Sequence, residues 1–313
     1  MTILPVLPAY RLQDLPESQR WLVDRLVGDG AVGIIGGEPK CCKSFLALDL
    51  AVSVASGTPC LRRFAVDRPG PVLLYAAEDA LHIVRRRLEG ICAAAGLKLW
   101  DIDLHVITVP TLRIDLDGDR TNLAETVAAM KPRLLVLDPF IRLHRIDENT
   151  SGEVAPLLAF LRELQRCYGV AVTLVHHARK GAGNIRGGQA LRGSSEFHAW
   201  GDSNLYLRRD AQDHLTMSVE HRAAPGIAAQ TLNLVERGDA LALELLPEEA
   251  KPVRKTRSLD ETIIAALSVA QPQPFPSLRA TCRVRSATLY EHLDALASSG
   301  RIGKSNDGYH LIP

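Results

Sequence analysis

Residues 32–56, VGIIGGEPKCCKSFLALDLAVSVAS, pass from a short apolar run through a glycine-led turn into a strongly helical segment. Between run and helix, Gly37-Glu-Pro-Lys-Cys-Cys-Lys43-Ser44 follows the pattern G-x-x-x-x-G-K-[ST] at Gly37, Lys43 and Ser44, with Cys42 where the pattern has its second glycine. Such a loop turns backbone N–H groups inward at a helix N-terminus, sends a lysine to the β/γ-phosphates and offers a hydroxyl to Mg2+. Gly37, Glu38, Pro39, Lys40, Cys41, Cys42, Lys43, Ser44 and Phe45 therefore form the expected phosphate cradle. A cysteine at the glycine position costs about 1 kcal/mol or more where φ is positive.

The alternation continues on either side of the loop. Runs at 71–77 (PVLLYAA), 104–109 (LHVITV), 133–138 (RLLVLD) and 170–175 (VAVTLV) lack polar alternation, and helical spacing separates them at 80–95, 121–130 and 153–168. Strands apolar on both faces and separated by helices predict a parallel sheet covered on both sides, an α/β doubly wound domain. Shorter runs at 203–208, 214–220 and 230–235 predict an antiparallel extension.

The ends of these runs carry the chemistry. Strand 71–77 ends in Glu78-Asp79, strand 133–137 in Asp138, and strand 170–175 in His176-His177. An aspartate closing a strand beside a phosphate loop suits the Mg2+ side of nucleotide hydrolysis, and a carboxylate on another strand suits activation of water. A histidine at a strand tip can touch the γ-phosphate. Ligands of open α/β sheets bind at this carboxyl edge. A metal site on the two histidines is disfavoured, because neighbouring side chains of a strand point to opposite faces, and His177 is expected to pack in the core. Cys41-Cys42 reads either as a thiol switch at an electropositive helix start or as two small residues filling a tight loop, and the second is simpler.

GGEPKCCKSFLALDLAVSVASG, YAAEDALHIVRRRL, LLVLDPF, VTLVHHARKG and ALRGSS together resemble the RecA-type ATPases of the plasmid RepA replicative helicase group, relatives of the DnaB-like hexameric helicases, over roughly residues 15–247. The resemblance implies a RecA-like P-loop NTPase core that uses ATP and Mg2+ in a homo-oligomer, a hexamer in that group. It implies that Lys43 and Ser44 bind phosphates and Mg2+, that Glu78 is the catalytic carboxylate, that Asp138 stands on the Mg2+ side through water, and that His176 is the sensor. DnaB-like relatives carry a Lys-x-Arg pair whose arginine reaches the neighbouring subunit. Here Glu220-His-Arg222 occupies that point, so Arg222 is either such a finger or a surface arginine.

Residues 178–195 are glycine-rich, carry Arg179, Lys180, Arg186 and Arg192, and hold no acid until Glu196. A solvated loop accounts for the glycines; contact with single-stranded DNA backbone accounts for the charge as well.

The whole chain has 313 residues, 37 Lys and Arg against 36 Asp and Glu, and 46% hydrophobic residues. That composition excludes a mainly disordered chain, and no apolar run of about 18 residues predicts a membrane span. The first residues lack a basic-then-apolar signal pattern and the six cysteines lack zinc or secretory spacing, which predicts a cytoplasmic protein. The near-zero sum divides unevenly: residues 251–313 hold nine Lys and Arg against five Asp and Glu, a net +4, leaving 28 against 31 in residues 1–250. Residues 248–257 read as a linker between an ATPase domain, 1–247, and a small domain, 258–313. In the latter, a Ser258–Glu261 capping box, a helix-turn-helix and a terminal hairpin resemble a winged helix. Its DNA-facing candidates are Arg283, Arg285, Ser286, Thr288 and Tyr290, with Lys304 in the wing; protein docking is the other use of such a module. The expected task is that of a DNA-associated motor, and the alternative is a nucleotide-gated DNA-binding regulator or loader.

Overall fold

The structure is a computed structural model and describes residues 4–12, 16–177, 196–209, 214–237, 240–246, 259–268, 272–282, 284–305 and 307–312. The chain divides into two compact units, Met1–Pro247 and Glu248–Pro313.

The first unit opens with a two-stranded ribbon, β1 (Trp21–Val23) and β2 (Val27–Gly28), then β3 (Val32–Gly37) and α1 (Lys43–Ser56). There follow β4 (Val72–Ala76), α2 (Leu81–Ala94), β5 (Leu104–Val106), α3 (Asp117–Met130) and β6 (Leu134–Asp138). Next come α4 (Ser151–Tyr168), β7 (Ala171–His177), α5 (Glu196–Trp200) and four strands, β8 (Ser203–Arg209), β9 (Leu215–His221), β10 (Gln230–Arg237) and β11 (Ala240–Leu245). Nine strands form one sheet in the order β11-β10-β9-β8-β3-β7-β6-β4-β5. The six strands from β8 to β5 are parallel, and β9, β10 and β11 continue antiparallel from β8. The strand expected at 203–208 as part of the antiparallel extension thus belongs to the parallel part, beside β3.

Each face of the sheet has its own core. One gathers Leu46, Leu50 and Val54 of α1 with Leu88 and Ile91 of α2, against Ile35, Val175, Leu205 and Leu207. The other packs Leu157, Leu158 and Leu161 of α4 and Val127 of α3 against Ile34, Val172, Leu174 and Leu137. Helix α1 is buried almost all round, which explains its uninterrupted apolar sequence. Its one buried acid, Asp49, is matched by Arg62 at 3.0 Å and the Leu61 amide at 2.7 Å, and so serves the fold. The helix ends at Gly57 with φ +81°, whose amide donates to the Ser53 carbonyl.

The second unit packs α6 (Leu259–Ala266), α7 (Phe275–Cys282) and α8 (Ser286–Ser298) with a hairpin of β12 (Ile302–Ser305) and β13 (Gly308–Leu311). Ile263, Leu278, Leu289, Leu293, Leu296, Ile302 and Tyr309 form its core. The expected linker, Ser258 of the capping box and Arg283 lie outside the described residues. No helix among the described residues is long and apolar enough to cross a membrane.

Candidate active site

The loop after β3 is shaped by close approach and by left-handed backbone. Strand β8 lies so near that a Cβ on Gly37 would stand 2.4 Å from the Leu207 carbonyl oxygen, so only glycine fits there. Lys40 and Cys42 take φ of +65° and +60°, and the Cys41 amide donates to the Glu38 carbonyl at 3.3 Å. Two left-handed residues within one turn aim successive amides to one side, the geometry of an anion cradle. Helix α1 starts directly behind it with no side-chain cap and no acid in its first turn, which leaves its first amides to a ligand or water.

Lys43 is buried, and its ammonium donates to the Glu38 carbonyl at 2.8 Å. Burial pushes its pKa down, while Cys41, Asp138 and Glu78 pull it back up. The Ser44 side chain hydrogen-bonds the Asp138 carboxylate. Asp138 is 8% exposed, and burial, joined by the charges of Asp79 and Glu78, raises its pKa to about 6 against the opposing pull of Ser44 and Lys43. The tips of β4 and β6 are pinned together by the Ala77 amide, which donates to the Asp138 carbonyl at 2.7 Å. Glu78 therefore stands beside Asp138, and its Oε1 accepts from Arg142 Nε at 2.8 Å. Asp79 pairs with Arg87, whose guanidinium also lies 5.1 Å from the centre of the Phe45 ring.

These residues fit a magnesium nucleotide. A buried aspartate, crowded by two further carboxylates and touching the loop hydroxyl, is the donor set that a hard divalent cation relieves. Among the described residues no group of three or more His, Cys, Asp or Glu is arranged to hold a metal by itself. Mg2+ matches that pattern, because it commonly takes one or two protein ligands and completes its shell with water and phosphate.

The AAA_25 family, described as an AAA domain, matches residues 3–183, more than half of the chain and the whole of the site above. The chain belongs to this family. Among solved structures it is similar to one whose title describes it as an ATPase domain, at 12% identity and a TM-score of 0.49, covering 66% of this chain and 82% of that one. Membership in a P-loop ATPase family implies nucleotide binding with a divalent metal and hydrolysis of the nucleotide.

In this AAA domain the two histidines at the tip of β7 exchange the surroundings expected of them. His176 is 1% exposed, stacked on Phe197 at 4.1 Å and set edge-on to Phe140 at 6.1 Å. Its Nδ1 is 3.9 Å from the buried Glu148, which also lies 3.4 Å from His144. The expectation that His177 packs in the core is corrected: His176 does so, and His177 is half-buried in register with Gly37. The reason is strand parity. Val172 and Leu174 face α4, so His176 faces it too, whereas Ala171 and Val175 share the α1 face with His177.

Cys41 is buried and Cys42 half-buried, and both are free thiols. Burial pushes the Cys42 thiol up, against the pull of Arg209, so the loop does not activate it as an electropositive helix start would. Arg222 lies far from its own loop. Its amide bonds to Asp202, opposite the start of β3, five extended residues or about 16 Å from Gly37. Its guanidinium sits 3.4 Å from Asp202 and donates to the carbonyls of Ala199 and Trp200. Arg179, Lys180, Arg186 and Arg192 lie outside the described residues. In the second unit Arg285 and Tyr290 are exposed at the start of α8, Ser286 and Thr288 are half-buried, and Lys304 is exposed on the hairpin. The Tyr290 ring stacks on Phe275 at 4.1 Å.

Arg87, Arg142 and Arg209 escaped the sequence reading. Arg142 comes four residues after Asp138 in a short helical turn, and Arg209 ends a strand whose Leu205 and Leu207 face α1. The second carried a usable signal, since alternation assigns Arg209 to the loop face.

Proposed function

We propose that this AAA domain is the motor of a DNA-associated, RepA-like hexameric ATPase that hydrolyses ATP at subunit interfaces. The observation that carries the reading is the convergence of Lys43, Ser44, Glu78 and Asp138 at the N-terminus of α1, under a loop with two left-handed residues. Lys43 and the loop amides bind the phosphates, and Lys43 exchanges its Glu38 carbonyl for a phosphate oxygen. Ser44 directly, and Asp138 through water, hold Mg2+, which when bound neutralises charge on the β- and γ-oxygens. Glu78 orients the attacking water and accepts its proton; its Oε1 is engaged by Arg142, so Arg142 positions the carboxylate. The sensor role at the tip of β7 falls to the pair His176–His177, with His177 on the loop side and His176 fixing the strand in the core. Arg222 stands too far from its own loop to act there, which supports a role in trans that requires it to leave Asp202.

Exposed Leu4, Val6, Leu7, Tyr10 and Leu12 support subunit contact. Three helices and a terminal hairpin around one core support the winged-helix reading, with Arg285, Thr288 and Lys304 offered to DNA. A second reading, a slow nucleotide-gated regulator or loader, is favoured by Cys42, a non-glycine residue held at positive φ. ATPase rates with and without single-stranded DNA, alongside Lys43→Ala and Cys42→Gly, separate the two. Stimulation by DNA that Lys43→Ala abolishes supports the motor; tight binding with negligible turnover, restored in Cys42→Gly, supports the regulator.

A further inference from the structure

Strand β8 carries a cation onto the phosphate loop from the side opposite the carboxylates. Leu205 and Leu207 pack in the α1 core and Leu207 is in register with Gly37, so alternation sends the next residue of that face, Arg209, past the end of β3 toward the loop. The contact is made: Arg209 Nη2 donates to Cys42 Sγ at 3.7 Å. Cys42 is the N-cap residue of α1, immediately before Lys43. A half-buried guanidinium, the buried Lys43 ammonium and the uncapped start of α1 thus gather within one turn of chain. Like charges of this kind repel unless an anion lies between them.

From this arrangement, and resting on the nucleotide-site reading above, we infer that Arg209 is a phosphate-binding residue acting within its own subunit, on the phosphates that ATP and ADP share. The sheet order gives the assignment. Glu78 and Asp138 follow β4 and β6, on the β7 side of β3, and that flank holds the cation and the terminal phosphate. Arg209 comes from β8, on the other side of β3, so it meets the inner end of the phosphate chain. The Cys42 thiol holds the guanidinium there, giving the residue that replaces glycine a positioning role. Planar guanidinium groups bind phosphate oxygens through two parallel N–H donors, which a lysine does not reproduce.

The test is equilibrium binding of ATP and of ADP, with Mg2+, to the full chain and to Arg209→Ala, Arg209→Lys, Arg208→Ala and Lys43→Ala, with thermal unfolding to compare folding. Arg208 is exposed and points to the opposite face, so its variant controls for charge. Arg209→Ala weakens both nucleotides about tenfold, or about 1.4 kcal/mol, and leaves the ratio of the two affinities within about twofold. Arg209→Lys recovers only part of the loss, and Arg208→Ala binds as the wild type does. If Lys43→Ala impairs binding while Arg209→Ala and Arg209→Lys match the wild type, the Arg209 inference is overturned and the nucleotide site stands. A loss confined to ATP also overturns it, because Arg209 would then serve the terminal phosphate. If the wild type binds neither nucleotide, the site reading falls and this inference with it. Should Arg209→Ala fail to fold, Arg209→Lys carries the decision alone, since it keeps the charge and the stem.

Discussion

Replacing Asp138 by asparagine is expected to stabilise the nucleotide-free protein while abolishing its Mg2+-dependent turnover. The carboxyl titrates at about 6 in the fold, chiefly through burial and then through the neighbouring acids, against an ordinary 3.8. The native state therefore holds this proton more tightly than the unfolded chain does. The stability it contributes is fully present below about 3.8 and is lost as pH rises through about 6. The gap corresponds to about 3 kcal/mol at pH 8, where the wild type carries the full cost of a buried, crowded carboxylate. The asparagine side chain would remain neutral at every pH and can still accept from Ser44. Its advantage should thus be about 3 kcal/mol at pH 8 and about half that at pH 5, where most of the wild-type carboxyl is protonated. Trp21, Trp100 and Trp200 all lie in the first unit, so urea unfolding followed by tryptophan fluorescence reads the relevant domain. Added Mg2+ and ATP should then raise the wild type above the variant, because only the wild type can ionise Asp138 to accept the cation. A variant less stable than wild type at pH 8, or an advantage equal at both pH values, would refute the reasoning.

Gly37→Ala should cost about 1–3 kcal/mol, read as a lower urea midpoint, because the new Cβ meets a backbone oxygen at 2.4 Å and β3 must part from β8. Cys42→Gly should raise stability by under about 1 kcal/mol: release from a left-handed backbone outweighs the freedom that glycine adds to the unfolded chain. A fall of that size in the same titration would show that the thiol contact with Arg209 is worth more than the strain. In the full chain, Arg285→Ala and Lys304→Ala should each lower the slope of log affinity against log salt for duplex DNA by about 1, and unchanged slopes would point the second unit toward a protein partner.

The parts of the site that were legible in the sequence are those whose chemistry dictates both residue type and place on a strand. Lys43-Ser44 had to follow a turn and open a helix, and Glu78 and Asp138 had to close apolar strands. The parity of His176 and His177 was not legible, because strands buried on both faces carry no polar alternation to show which face a given residue takes. Strand β11 was missed because its sequence, ALALEL, suits a helix as well as an edge strand, and pairing with β10 decides it. Helix α3 begins at Asp117, four residues before the expected start, since Gly118 argues against a helix while Asp117 and Asp119 favour its first turn. The arginines of the site were hidden for a different reason. Arg87, Arg142 and Arg209 reach it from a helix, a short turn and a neighbouring strand, and only tertiary packing selects these three from the many arginines of the chain.

Charge follows the same rule, and it ties the two opposite shifts in the site to one cause. A net +1 over 313 residues suggests no preference for an anionic ligand. Across the sheet the distribution is ordered: Glu78, Asp79 and Asp138 on the β4 and β6 flank, Lys43 in the middle, and Arg209 on the β8 flank. Burial pushes Lys43 toward its neutral form and Asp138 toward its protonated form, so the nucleotide-free site is strained at both ends. A polyphosphate alone would relieve Lys43 and Arg209 but add to the repulsion around Asp138, and a cation alone would do the reverse. Only a ligand carrying both, a phosphate chain with its divalent metal at one end, relieves both flanks at once. Metal and nucleotide should therefore bind with positive coupling, each raising the affinity for the other by the same factor, and Asp138→Asn should remove that coupling while leaving metal-free nucleotide binding intact or improved.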